Sequence, residues 1–561
     1  LCAVGLGLRL PGLDYLLPSV LNRDGLVVVR QVELMHSGAE HPEEDPLWAL
    51  YPHLMSRLVA LFPDEGAART EPSTLAQDLA RANAPWVHGR LIVALLSLLA
   101  VPGTYWLARY FLSRVAALFA AGLVATSLFH VHVSTLEKPH GIVASFLLLA
   151  IVASIRLRRR GDISSYLLCG AMVGFAMASL QDGVAALLPL GAAHIVREKG
   201  SGRRSRWWIL AAIAVVALLV RCFYPFYFAA HHAEVEVSPE IARGAISLSG
   251  HRVWFSLFNG AGFPRVFGPL ISCDPVLLAL ALAGVGLWSM RFVRSSAVRR
   301  SALFGDMAVV LAFAIPFTLL VTLYAETMGR YAIPLLPLMA CAAAYAFENL
   351  FAHWTSRRPR LAAVIAAGIV LVAALPAIRL AAIRGALDTF QLAAIAIRAL
   401  IDPKDRVIVV PYVDVPLYHA EAPLHDDAEV PWRTIWVQYQ ASLGDRERAD
   451  TEFDIAVLPG KLSDARSQLL ADPIEYCRRH RARYVLIEGF TVDPTLAQVR
   501  AELMYRAKRV RRLSSLTTDN GADEVMPPPH LEDRFGFPYA LSLFSVDRMG
   551  STLEIYDVSG L

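Results

Sequence analysis

Four charged residues stand where apolar runs of this chain begin or end: Asp24, Glu137, Asp182 and Arg330. A carboxylate in such a place can take a proton from a hydroxyl or hold a divalent metal ion, and an arginine can hold a phosphate. An ionisable group costs about 2.5–3.5 kcal/mol at the centre of a membrane helix and less at its rim. Each of the four is therefore also readable as an ordinary interfacial residue. Arg221 lies deeper, in VVALLVRCFYPFYF. It is about 14 residues into its apolar run, or about 21 Å at 1.5 Å per residue. That depth suits a partner for a lipid phosphate, with snorkelling to the interface as the rival reading. His130, His132 and His140 flank Glu137 in FHVHVSTLEKPHG and could join it around a divalent metal, although their spacing follows no zinc pattern.

The elements that must position these residues are long apolar segments. Of 561 residues 55% are hydrophobic, the mean hydropathy is +0.45, and only 18% are charged. A soluble domain carries about 25% charge. The first two-thirds of the chain hold the apolar runs, and the last third reads as soluble sequence. A bilayer core needs about 20 apolar residues per helix. Candidate spans fall near 1–20, 90–108, 115–131, 140–155, 165–180, 183–196, 207–229, 275–290, 303–325, 331–351 and 361–378, about eleven in all. The run at 183–196 is short enough to be re-entrant. The chain begins at Leu1 without a Met, so part of the first span is expected to precede it.

Arginine marks alternate loops: Arg109 and Arg114; Arg156, Arg158, Arg159 and Arg160; Arg197, Lys199, Arg203, Arg204 and Arg206; Arg291, Arg294, Arg299 and Arg300; Arg357, Arg358 and Arg360. The intervening loops hold only Lys138, Arg243, Arg252, Arg265 and Arg330. The positive-inside rule puts the first set in the cytoplasm. The segment 22–89 and everything beyond about 380 are then expected outside, and Asp24, Glu137, Asp182 and Arg330 share the outer rim. A net charge of +4, carried in short loops, speaks for membrane orientation and not for nucleic acid. The six cysteines are too few and scattered for a disulfide framework, and Cys169 and Cys341 read as small buried hydrophobes.

From Asp388 the pattern changes. DTFQLAAIAIRALI (388–401) has helical spacing, with Asp388 or Thr389 placed to cap it and Asp402-Pro403 to end it. RVIVVPY (406–412), FDIAVLPG (453–460) and YVLIEG (484–489) read as buried strands, IEYCRRHR (474–481) and PTLAQVRAELMYRAKRV (494–510) as helices. The polar, Pro-rich stretch 513–533 reads as a loop. The expected architecture is a polytopic α-helical membrane domain (1–385, with its outer loop 22–89) followed by a soluble α/β domain (386–561). The latter carries no Gly-rich phosphate loop, zinc spacing or nucleophile elbow, which makes it a lid or scaffold. The chain has no ATP-binding signature, so energy must come from the substrate or a gradient.

Several blocks, in their order, resemble the GT-C membrane glycosyltransferases, particularly bacterial relatives of the protein O-mannosyltransferases and aminoarabinose transferases. They are LRLPGLDYLLPSVLNRDGLVVVRQVELM, YPHLMSRLVALF (51–62), the long block 88–141 with Gly89-Arg90 and Glu137, GFAMASLQDGVAALLPLGAAHI (174–195), RYAIPLLPLMA (330–340) and STLEIYDV (551–558). Asp24 matches the family's acidic motif, without the glutamate that often follows it. Leu180-Gln181-Asp182-Gly183 stands where a lysine-containing motif is common.

The resemblance implies a GT-C-like fold and transfer of a sugar from a polyprenyl-phosphate-linked donor to an acceptor hydroxyl on a lipid, glycan or protein. It implies the outer face of a bacterial inner membrane as the place. Asp24 and Glu137 become the candidate catalytic residues and, with a divalent metal ion as the one cofactor left open, the candidate ligands. Arg90, Arg221, Arg330, Tyr331, Asp182 and Tyr51 become the candidate substrate-binding residues. An alcohol needs a positioned base as its proton leaves, and the leaving phosphate needs cations more than an acid. The missing glutamate and lysine keep a second reading open, a non-catalytic membrane subunit of a larger complex. A transporter is the third, although no internal repeat supports it.

Overall fold

The computed structural model describes residues 1–18, 23–39, 51–63, 74–197, 207–227, 245–248, 251–294, 302–352, 357–410, 415–422, 452–458, 466–489, 493–516 and 540–561, with positions 45, 48, 413, 436, 439 and 440. Of these, the side chains of 23, 24, 245–248, 251, 252, 302 and 420–422 are outside the description. Two compact units form. One comprises Leu1–Leu10, Val27–Phe62 and His88–Ile378, the other Pro11–Leu26, Pro63–Val87 and Arg379–Leu561.

The first unit is helical. Among the described residues six apolar helical stretches are long enough to cross a bilayer: Leu75–Arg109, His140–Arg160, Pro275–Arg294, Leu303–Leu323, Gly329–Leu350 and Pro359–Leu400. Arg114–Thr126, Ile163–Ser179 and Trp208–Phe223 are apolar but shorter. These helices make the chain an integral membrane protein. The expected span near 1–20 is replaced by the short helix Cys2–Gly7 followed by turns, because Pro11 and Gly12 interrupt it and Gly12 takes a positive φ of 61°. The run at 183–196 divides into a 3₁₀ turn, Gln181–Ala186, and the helix Leu187–Ile195. The stretch read as a loop between 230 and 274 holds the helix Gly262–Cys273 and the antiparallel pair β1 (Ala245–Leu248) and β2 (His251–Trp254).

Local chemistry sets the helix ends. Ser113 caps Arg114–Thr126 by accepting from the Ala116 N–H at 3.3 Å, and Ser127 caps Leu128–Val133 by accepting from the His130 N–H at 3.0 Å. Gly161, at φ 61°, ends His140–Arg160 in a left-handed turn, and Asp162 then caps Ile163–Ser179. Small residues let helices approach closely. A Cβ on Gly170 would meet the Ala212 carbonyl at 2.6 Å, which is why Ile163–Ser179 lies tight against Trp208–Phe223. Asp306 is buried and takes both Arg158 (3.3 Å) and Arg159 (2.9 Å), tying the end of His140–Arg160 to the helix Ala302–Leu323.

The second unit holds a six-stranded sheet in the order β4-β5-β3-β6-β8-β7. Its strands are β3 (Arg406–Val409), β4 (His419–Ala422), β5 (Phe453–Val457), β6 (Ala482–Glu488), β7 (Lys508–Leu513) and β8 (Leu553–Asp557). The four strands β4, β5, β3 and β6 run parallel; β8 pairs antiparallel with β6, and β7 antiparallel with β8 at the edge. The three expected strands are β3, β5 and β6, buried as their apolar runs require. The helix expected over 494–510 stops at Arg506, and Lys508 onwards forms β7. Pairing with β8 overrides local helix propensity there. The expected loop 513–533 lies outside the described residues from 517 on.

Candidate functional site

The site is built in the helical unit from four pieces of chain. Arg90 comes from the helix Leu75–Ser97, and Glu137 and Lys138 from the turns that follow Leu128–Val133. Asp182 comes from the 3₁₀ turn Gln181–Ala186, and Arg330 and Tyr331 from a second 3₁₀ turn, Gly329–Leu335. The sequence explains both tight turns. Gly183 passes so close to the backbone of Ala176 that no side chain fits between them, and Pro334 and Pro337 lack the N–H that a regular helix would use.

Arg90 donates from Nε to Glu137 Oε2 at 2.7 Å, with side-chain exposures of 1% and 3%. A charge pair so fully removed from water is stable only while both members are present. Gly89 brings the backbone close, since a Cβ there would lie 3.3 Å from Met55 and 3.9 Å from the Glu137 Cβ. Arg330, also buried, donates from Nε to His140 Nε2 at 3.3 Å. The His140 and Tyr331 rings stack with centroids 5.3 Å apart, and the Arg330 guanidinium lies 5.8 Å from the Tyr331 ring. The charge of Arg330 also acts on the carboxyl of Asp182. Arg90 and Glu137 thus form one buried pair, and Arg330, His140, Tyr331 and Asp182 a second group of buried or half-buried residues.

Tyr51 is half-buried, and its carbonyl accepts weakly from Gln31 Nε2 at 3.5 Å. Ser56 also bonds Gln31. The neighbouring His53 N–H donates to the Phe223 carbonyl at 2.6 Å, and burial holds the His53 ring below the usual imidazole range. Arg221 is exposed on the last turn of Trp208–Phe223 and is not part of the buried sets. Asp24 lies in the first turn of the helix Arg23–Ser37, and its side chain is outside the described residues.

The histidines go to separate partners. His130 Nδ1 meets Arg9 Nη2 at 2.8 Å, and His140 meets Arg330. Among the described residues no three His, Cys, Asp or Glu side chains come together, and the Glu137 carboxylate already carries a guanidinium. The side chain of Asp24, the other candidate ligand, lies outside the described residues. Two buried cations were missed by the sequence reading. Lys138 is buried beside Glu137, and Arg9 donates to Ser134 Oγ at 2.9 Å and to the carbonyls of Gly5 (2.6 Å) and Ala125 (3.2 Å). Arg9 thereby anchors the start of the 134–139 turns. The available signal was a lone arginine at the end of the first apolar run.

Residues 82–225 match the family described as dolichyl-phosphate-mannose-protein mannosyltransferase, a stretch that includes Arg90, Glu137, His140 and Asp182. No curated protein matches the chain. Among solved structures, the Archaeoglobus fulgidus oligosaccharyltransferase in the apo form is 13% identical, over 89% of this chain and 70% of that one, with a TM-score of 0.46. ArnT from Cupriavidus metallidurans bound to undecaprenyl phosphate is also 13% identical, over 91% and 94%, with a TM-score of 0.42. The resemblance to the GT-C membrane glycosyltransferases is borne out by the family match over 82–225.

Proposed function

We propose that this chain transfers a sugar from a polyprenyl-phosphate-linked donor to an acceptor hydroxyl at the outer face of a bacterial inner membrane. The observation that carries the reading is the buried Arg90–Glu137 pair, 2.7 Å apart, inside the segment that matches the mannosyltransferase family. In this reaction the acceptor oxygen attacks the anomeric carbon, and the bond from that carbon to the phosphate oxygen breaks. The electron pair leaves with the phosphate, and the hydroxyl proton passes to a carboxylate. Arg90 and Arg330 supply positive charge in a dry setting, which is what a departing phosphate requires. Arg221 is the third cation proposed for the donor. Tyr51, Tyr331 and Asp182 are proposed to contact substrate. Asp24 is the proposed base, on the strength of its family position, and Glu137 is the second choice. No step is routed through a metal ion.

The reading extends to topology. Residues 22–89 and the α/β domain from about 386 are proposed to share the periplasmic side, with 1–385 as the membrane domain. The acceptor class is a lipid, glycan or protein hydroxyl.

The test uses the full chain in liposomes with a radiolabelled polyprenyl-phosphate sugar and acceptors of each class. Label should move to one of them. Donor binding without transfer to any acceptor would instead favour the non-catalytic subunit. Asp24→Asn should lose roughly 10²–10⁴-fold in rate while still folding and inserting. A fully active variant would pass the role of base to Glu137. Alanine at Arg90, Arg221 or Arg330 should weaken donor binding in at least one case.

A further inference from the structure

The 3₁₀ turn Ser542–Ser545 is an unusual piece of the C-terminal unit, because two large apolar side chains at it are exposed while Leu543 between them is buried. Leu541 is 86% exposed and Phe544 51%. The turn is firmly held. Arg379 donates from Nε to the Leu543 carbonyl at 3.2 Å, and from Nη2 to the Val546 carbonyl at 2.6 Å and the Asp547 carboxylate at 2.7 Å. Asp547 donates its N–H to the Ser515 carbonyl at 2.9 Å, which closes the base of the segment. Two exposed hydrophobes on a clamped turn are not a fraying end.

Arg379 also fixes where this turn lies. It belongs to the apolar helix Pro359–Arg384, whose other end carries Arg357, Arg358 and Arg360. At 1.5 Å per residue, Arg379 is about 30 Å along the axis from Pro359, which is the thickness of a hydrocarbon core. The exposed apolar face of that helix runs through Leu371, Val372, Leu375 and Ile378 up to Arg379. Through its bonds to Arg379, the turn that carries Leu541 and Phe544 is tied to this end of the helix, where acyl chains would meet headgroups. A cation there is suited to the interface, and aromatic and large aliphatic side chains beside it are the usual anchors.

We propose that the turn carrying Leu541 and Phe544 is a membrane-interface anchor, held at the Arg379 end of the helix Pro359–Arg384. The occupant of this surface is lipid, not a second protein. The anchor requires no particular headgroup, since its contacts are apolar.

The test places a nitroxide at position 541 or 544, by Leu541→Cys or Phe544→Cys, in the full chain with the exposed Cys2 and Cys222 changed to Ser. The protein is reconstituted in phosphatidylcholine nanodiscs. Relaxation by oxygen, which concentrates in lipid, is compared with relaxation by a water-soluble nickel chelate. Oxygen should dominate several-fold at both positions. Dominance of the nickel chelate at both would place the turn in water and overturn the proposal. A split result would reduce the anchor to the one residue that favours oxygen, and overturn the two-residue form. The readout is independent of catalysis, so it stands or falls apart from the transferase reading.

Discussion

At the residue scale, the Arg90–Glu137 pair is the feature most exposed to a decisive substitution. Both side chains are out of water, so removing one leaves the other as an uncompensated buried charge, at a cost of about 3–5 kcal/mol. Arg90→Ala should therefore lower the melting temperature of the purified protein in detergent markedly. Replacing both members, as in Arg90→Met with Glu137→Leu, should recover much of that loss, because no lone charge remains. A single variant as stable as the parent would mean that the pair is not held in a dry site. Lys138 and Arg9 belong to the same lesson. Lys138 is buried beside Glu137 and Arg9 holds the turns that precede it, and neither stands out by spacing, since a buried lysine and a buried arginine look like surface residues in a linear chain.

At the element scale, the two units are stabilised by different means. In the helical unit, caps and small-residue contacts set where helices end and how near they come. In the sheet unit a buried carboxylate organises one edge. Glu554, on β8, accepts from Arg500 (2.8 Å), Arg509 (3.0 Å), Arg512 (3.2 Å) and the Tyr556 hydroxyl (3.0 Å). Burial works to raise its pKa, but the Arg500 bond and the charges of Arg500 and Arg512 prevail and hold it below the ordinary 4.5. A depressed folded-state pKa contributes stability that is full above the unfolded value and is lost as pH falls through the folded one. Acid should therefore destabilise this unit progressively below about pH 4.5. Glu554→Gln should flatten that part of the profile, as followed by circular dichroism of the strands. An unchanged slope in the variant would remove Glu554 from the account. Helix Thr389–Leu400 illustrates what was legible: Asp388 caps it as expected, accepting from the Gln391 N–H at 2.8 Å, while the Gln391 side chain returns the bond.

At the scale of the whole molecule, arginine asymmetry predicts that reporter fusions after residue 203 and after residue 400 occupy opposite compartments. The same compartment for both would refute the proposed topology. The chain's apolar runs, its marked loops, the change of pattern in its last third and three of its strands follow from hydropathy and side-chain period alone. These properties are local, and a bilayer or a sheet core reads them directly. The partners were decided elsewhere. Arg90 meets Glu137 across 47 positions, and Arg9 reaches Ser134 across 125, only because helices end where they do and pack as closely as Gly89 and Gly5 allow. Residues 508–513 became a strand because β8 offered a ladder of backbone partners that outweighed local propensity. Hydrogen-bond geometry depends on distances that no linear spacing contains, so residues such as Arg90, Glu137 and Arg330 were visible in the sequence one by one, Arg9 and Lys138 were not, and the tertiary structure alone decided which of them meet.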